Sequence, residues 1–164
     1  MLLNTRQLNN YRSSTWSNTL KDYVRPFHQH QLSKSHNTIT DWWCGKRFQN
    51  LRTEGYFQKS TDIAQDIHYD GVQAQNRHSH SVAAVILYNY NLPPKIRYAR
   101  ENTFYILILG PCEQKDLNSF LQPLVAELDE LGKGIPVYDA DSRHDFELKV
   151  DVVLVGDMLF FILL

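Results

Sequence analysis

Gln65–Gln75 reads Gln-Asp-Ile-His-Tyr-Asp-Gly-Val-Gln-Ala-Gln, and how it folds decides the architecture. Ile63, Ile67 and Tyr69 alternate into Asp70 and Gly71, and the density of Ile and Tyr predicts a strand over roughly 66–72. A carboxylate where such a strand opens lies at a sheet rim, poised for a divalent metal. Asp-Gly is also a common turn pair, and on this stretch alone the start of a loop is the stronger reading of Asp70. Period-two alternation puts Asp66 and His68 on the side of Asp70. There His68 reads as a packed or rim histidine.

Working outward, 76–80 is a polar turn, and Ser81–Tyr90 is apolar and rich in β-branched residues, as a buried strand requires. Asn91-Leu92-Pro93-Pro94 ends it, because proline offers no ladder donor and restricts its predecessor. Lys95–Asn102 is a basic connection, and Thr103–Leu109 is a further buried strand closed by Gly110-Pro111. Leu117, Phe120, Leu121, Leu124, Val125, Leu128 and Leu131 then form one apolar helical stripe. Gly132 stands where its C-terminal cap belongs. Pro123 is harmless if the helix starts near Ser119 and should kink it if the start is Leu117. Ile135–Asp141 reads as a loop or short extended piece. Phe146, Leu148, Val150, Val152 and Leu154 alternate with Glu147, Lys149 and Asp151, which predicts one strand running into Gly156-Asp157, a second acid at a strand end.

The 164 residues suffice for one domain with a real core. Hydrophobic content of 43%, charged content of 21% and a net charge of −1 are ordinary, so nucleic-acid binding would need local patches rather than a global basic excess. Cys44 and Cys112 are far apart, without a CxxC partner, which argues against a disulfide scaffold or complete zinc site and fits a reducing compartment. The N-terminus has no signal-peptide core, and no apolar run reaches the roughly 18 residues of a membrane span. The expectation is an intracellular protein, nuclear or cytoplasmic, with no membrane association.

Residues 1–40 are polar, and Tyr11, Trp16, Tyr23 and Phe27 are scattered without a clear period. They read as a partly disordered arm, with His28, His30 and His36 as solvated loop residues. Residues 41–60 form an aromatic and basic lead-in. Trp42, Trp43, Phe48, Tyr56 and Phe57 interleave with Lys46, Arg47 and Arg52, a mixture that suits nucleic acid but is read first as a packing element. Lys95, Arg97 and Arg100 make the best local basic patch, open equally to DNA-backbone contact and to a solvated loop.

The order over 61–164 is therefore strand with acid, strand, strand, helix, strand with acid. This is the opening of the ribonuclease-H-like fold, an α/β mixed sheet. A crossover through a helix returns the chain parallel to its first strand, and adjacency there would bring Asp70 and Asp157 together. Carboxylates so paired suit two metal ions about 4 Å apart.

Asp70-Gly71-Val72-Gln73, Asn91-Leu92-Pro93-Pro94 with Arg97, Glu101-Asn102, Ile108-Leu109-Gly110-Pro111, Asp116–Leu124, Glu127-Leu128 and Gly156-Asp157 resemble the transposase domain of CACTA-type (En/Spm-like) DNA transposons over roughly Trp42–Asp157. The resemblance implies a DDE/D transposase with a ribonuclease-H-like core, with Asp70 as first acid, Asp157 as second, Mg²⁺ (or Mn²⁺) as cofactor and transposon-end DNA as partner. In that family a third acid follows far downstream. Here Asp157 is followed by Met158–Leu164 and no further carboxylate. The expectation is an incomplete core with little or no strand-transfer activity, inactive as this chain stands, or a non-catalytic remnant or domesticated domain that binds DNA or a full-length transposase. An uncovered sheet face would also favour homo-oligomers.

Overall fold

A computed structural model describes residues 9–29, 40–73, 81–109 and 117–155. The central strand β1 spans Ile63–Gln73, longer at both ends than the alternation alone predicts. It pairs antiparallel with β2 (Ser81–Asn89), which pairs antiparallel with β3 (Phe104–Leu109) after the one-turn helix α3 (Pro94–Arg97). Helix α4 (Leu117–Lys133) leads, by way of a hairpin, to β6 (Val150–Val155), which pairs with β1 in parallel. The strand order is β3-β2-β1-β6, a mixed four-stranded sheet in which the expected meander, helical crossover and parallel return are all present.

Three elements differ from the sequence reading. The arm expected to be partly disordered contains helix α1 (Ser14–His28), which buries Ser17, Leu20, Lys21, Val24 and Phe27. The alternating run 146–154 is two strands. β5 (His144–Leu148) pairs with β4 (Ile135–Asp139) in a separate hairpin, and Lys149 intervenes before β6 joins the main sheet. The run keeps one alternation because Phe146, Leu148, Val150 and Val152 all pack against the same core from two different sheets. Within α4, Leu121, Leu124 and Leu131 are buried, whereas Phe120 and Val125 are exposed. The helix begins at Leu117, so Pro123 is interior to it, on the solvent side.

Period-two alternation splits β1 between two cores. Ile63 and Ile67 join Val85, Leu87, Leu121, Leu124, Leu131 and Val150. Ala64, on the opposite face, joins Tyr90 and an aromatic cluster of Trp43, Phe48 and Phe57, to which α1 adds Val24 and Phe27. The rings come from a 3₁₀ turn (Trp42–Cys44), helix α2 (Lys46–Thr53) and the segment after it. Most meet edge-to-face, as the Trp43–Phe48 pair does at 5.0 Å between centroids, the geometry that ring quadrupoles favour. Of the lead-in aromatics, Trp42, Trp43, Phe48 and Phe57 are thus core packing, whereas Tyr56 is 45% exposed.

Gly134, not Gly132, ends α4. It has φ +104° and donates its N–H to Leu131 O at 3.2 Å. A Cβ there would lie 2.6 Å from Glu147 Cγ. Gly134→Ala is therefore expected to cost about 1–3 kcal/mol, read as a lower urea midpoint at unchanged m-value. Adding Glu147→Ala should relieve the clash but not the backbone strain, so a full recovery would show that φ is not the cause.

Candidate active site on the central strand

The β1–β2 ladder runs from Gln65↔Asn89 to Gln73↔Ser81 without a shift of register, so positions 66, 68 and 70 keep one phase. Asp66 is only 1% exposed. Its Oδ2 accepts a hydrogen bond from Tyr90 Oη at 3.1 Å and lies 2.6 Å from His68 Nε2. Its Oδ1 is buried and has no hydrogen-bond partner. Burial first, and then the nearby Asp66 charge, pushes the Tyr90 hydroxyl far above its ordinary value, so Tyr90 remains a donor throughout the physiological range. The His68 side chain is 45% exposed and meets the Tyr88 ring edge-on at 5.3 Å. A half-buried Asp–His pair held by a tyrosine thus occupies this face of β1. Sequence phase places Asp66 beside His68, but the Tyr90 contact crosses 24 residues and has no signal in the linear pattern.

Asp70 lies in β1, with its backbone in register with Ala84. The parallel ladder with β6 has a bulge between Gln65 and Asp66 and ends at Ile67↔Val155, three residues before Asp70. The described end of β6 therefore lies beside Ile67, partway along β1, and Asp157 lies outside the described residues. Among the described residues no group of three His, Cys, Asp or Glu side chains is arranged to hold a metal ion. The unpartnered Asp66 Oδ1 is a hard oxygen donor of the kind Mg²⁺ takes. The described side chains do not by themselves make a site for the implied cation.

The basic residues read from sequence separate. Lys46, Arg47, Lys95 and Arg100 are exposed. Arg97 is turned inward and 2% exposed. Its Nη1 and Nη2 donate to Asp41 Oδ1 and Oδ2 at 2.9 and 2.6 Å, its Nε to Leu92 O and its Nη2 also to Tyr90 O. The guanidinium stacks 4.2 Å from the Tyr90 ring centroid. Asn91 is equally structural: its side chain donates to Asp62 O and accepts from Ala64 N. The Asn-Leu-Pro-Pro segment and Arg97 therefore clamp the β2 turn onto the start of β1 and support Asp66 through Tyr90. His28 is half-buried against the Trp43 and Phe48 rings, whereas His30, His36 and Cys112 lie outside the described residues. No helix among the described residues is long and apolar enough to cross a membrane.

Residues 35–158 match the family model described as Transposase family tnp2. No curated protein and no solved structure matches the chain. The match spans more than half of the 164 residues and takes in the whole sheet, the crossover helix and the aromatic lead-in. The chain belongs to Transposase family tnp2.

Proposed function

We propose that this chain is part of the catalytic core of a cut-and-paste DNA transposase of the CACTA type, with a ribonuclease-H-like sheet in which Asp70 and Asp157 hold Mg²⁺ (or Mn²⁺). The observation that carries the reading is the strand order β3-β2-β1-β6, with β6 parallel to β1 after a helical crossover. That topology sets Val155, the described end of β6, beside Ile67 on the strand that bears Asp70. Membership of a transposase family makes DNA the general partner. The bound metal would activate water or a 3′-hydroxyl and stabilise the leaving oxygen. Asp70 and Asp157 would ligate it, and Tyr90 would fix Asp66 on the same strand.

Nicking of supercoiled plasmid by the purified chain, with Mg²⁺ or Mn²⁺, tests this. Nicking by wild type above the metal-free background, lost in Asp70→Asn and Asp157→Asn proteins that remain folded by circular dichroism, supports the two acids as a working metal site. Nicking that survives both substitutions overturns the assignment of the two acids. Absence of nicking from all three folded proteins overturns the catalytic reading. It leaves a domain that binds DNA or a full-length transposase without chemistry.

A further inference from the structure

Beyond Asp66, the face of the sheet that carries the Asp–His pair is not covered by the aromatic cluster. His68 is in register with Ile86, and Ile86 with Tyr105 on β3, so the three side chains form one row across β1, β2 and β3. Ile86 is half-buried, and Tyr105 is 55% exposed. Beside this row Tyr88 meets His68 edge-on and Tyr98 at 5.0 Å between centroids. Tyr98 is 54% exposed and interacts with Tyr90 and with the Arg97 guanidinium, which lies 5.9 Å from its ring centroid. Its ring is therefore held by a buried network while much of its surface meets solvent. Lys95 and Arg100, both exposed, flank Tyr98 in sequence, with Glu101 next to Arg100.

The exposed rings of Tyr98, which packs on Tyr88, and of Tyr105, on β3, together with the exposed cations Lys95 and Arg100 of the connection that carries Tyr98, have the chemistry of a stacking surface for unpaired bases. Stacked duplex DNA hides its base faces and would gain little from it. An unpaired strand offers one π-face per nucleotide, and its phosphates suit Lys95 and Arg100. We propose that Tyr98 and Tyr105 stack bases of single-stranded DNA on this face of the sheet whose central strand carries Asp70. The proposal deepens the transposase reading and rests on it for the choice of DNA as the nucleic acid. It requires an unpaired segment of the DNA to lie across the sheet next to the proposed site of cleavage.

The test is fluorescence anisotropy with the full chain and two labelled probes, a short oligothymidylate and a mixed-sequence duplex of equal length. Tyr98→Ala and Tyr105→Ala should each weaken oligothymidylate binding about ten-fold, with duplex binding changed by less than about two-fold. Tyr98→Phe keeps the ring and should bind as wild type, which separates stacking from the hydroxyl's contacts. Tyr105→Ala, at a position outside the Arg97 network, guards against a Tyr98 variant that fails through misfolding. Wild-type affinity of both alanine variants for oligothymidylate overturns the proposal. So does a wild-type chain that binds duplex but not oligothymidylate, which leaves the transposase reading standing. Binding of neither probe overturns both. If the alanine variants instead convert a dimer to monomer in sedimentation velocity, at unchanged affinity for DNA, the face joins copies of the chain and the proposal falls.

Discussion

Asp41→Ala is expected to destabilise the fold by about 3–5 kcal/mol. The Asp41 and Arg97 side chains are 4% and 2% exposed, and their bond is bidentate. Removing the carboxylate leaves a guanidinium buried among carbonyls and a tyrosine ring, without a counter-charge and without access to water. Tyr23, which donates its hydroxyl to Asp41, loses its acceptor as well. Arg97→Lys should also be costly, because an ammonium cannot reproduce the planar fork that reaches Asp41, Leu92 O and Tyr90 O together. The double variant Asp41→Leu/Arg97→Met removes both charges, and it should be less destabilised than Asp41→Ala alone, since an apolar pair of similar volume avoids the unpaired charge. Urea unfolding of the four proteins measures this. An Asp41→Ala loss below about 1 kcal/mol, the scale of an exposed ion pair, would show that the pair is solvated. The same experiment bears on the site, because Arg97 stacks on Tyr90 and Tyr90 holds Asp66.

Local patterns were sufficient wherever the signal lay within one element. Ile63, Ile67 and the continuous apolar runs of β2 and β3 announce strands, and the leucine stripe of α4 announces the crossover. From these the connectivity of the sheet follows. Helix α1 is illegible in sequence because two positions of its buried stripe are Ser17 and Lys21, whose polarity is satisfied by Asp139 and, for Lys21, also Asp141, more than a hundred residues away. The Phe146–Leu154 run concealed its own break, because alternation continues through Lys149 while the chain passes from one sheet to another. Arg97 was read with Lys95 and Arg100 as a basic patch for the same kind of reason. Its partner Asp41 is 56 residues away, and charge in a window of sequence says nothing of which residue turns inward. Of the candidate site, the phase of Asp66, His68 and Asp70 was readable from period two, but the burial of Asp66 against Tyr90 depends on how β2 turns. The proposed pairing of Asp70 with Asp157 rests on the family resemblance and on the parallel return of β6 to β1.

The Lys21–Asp139 contact that hid α1 also carries the other large prediction. Lys21 Nζ donates to Asp139 Oδ2 at 2.6 Å and to Asp141 Oδ2 at 2.7 Å, while Ser17 Oγ, Ser142 Oγ and the Asp141 N–H also donate to Asp139. Asp139 is buried. Burial acts to raise its carboxyl, but the bonds from Lys21, Ser17 and Ser142 outweigh burial and hold it well below the usual carboxylate range. Lys21→Met keeps the aliphatic bulk and removes the charge, leaving the carboxylate with neutral donors only, and should cost about 3 kcal/mol at pH 7. The pH dependence fixes the cause. A carboxyl held below its unfolded value near 3.9 contributes stability that is fully present above that value and lost as pH falls toward its folded value. Wild type should therefore lose stability steeply below about pH 4, while Lys21→Met, with Asp139 less depressed, should fall less over the same interval. The two stability curves should converge in acid, where protonated Asp139 no longer needs a cation. Parallel curves down to the acid limit would mean that Lys21 acts through packing of its stem against α1's neighbours, and that its charge on Asp139 does not join α1 to the β4–β5 hairpin.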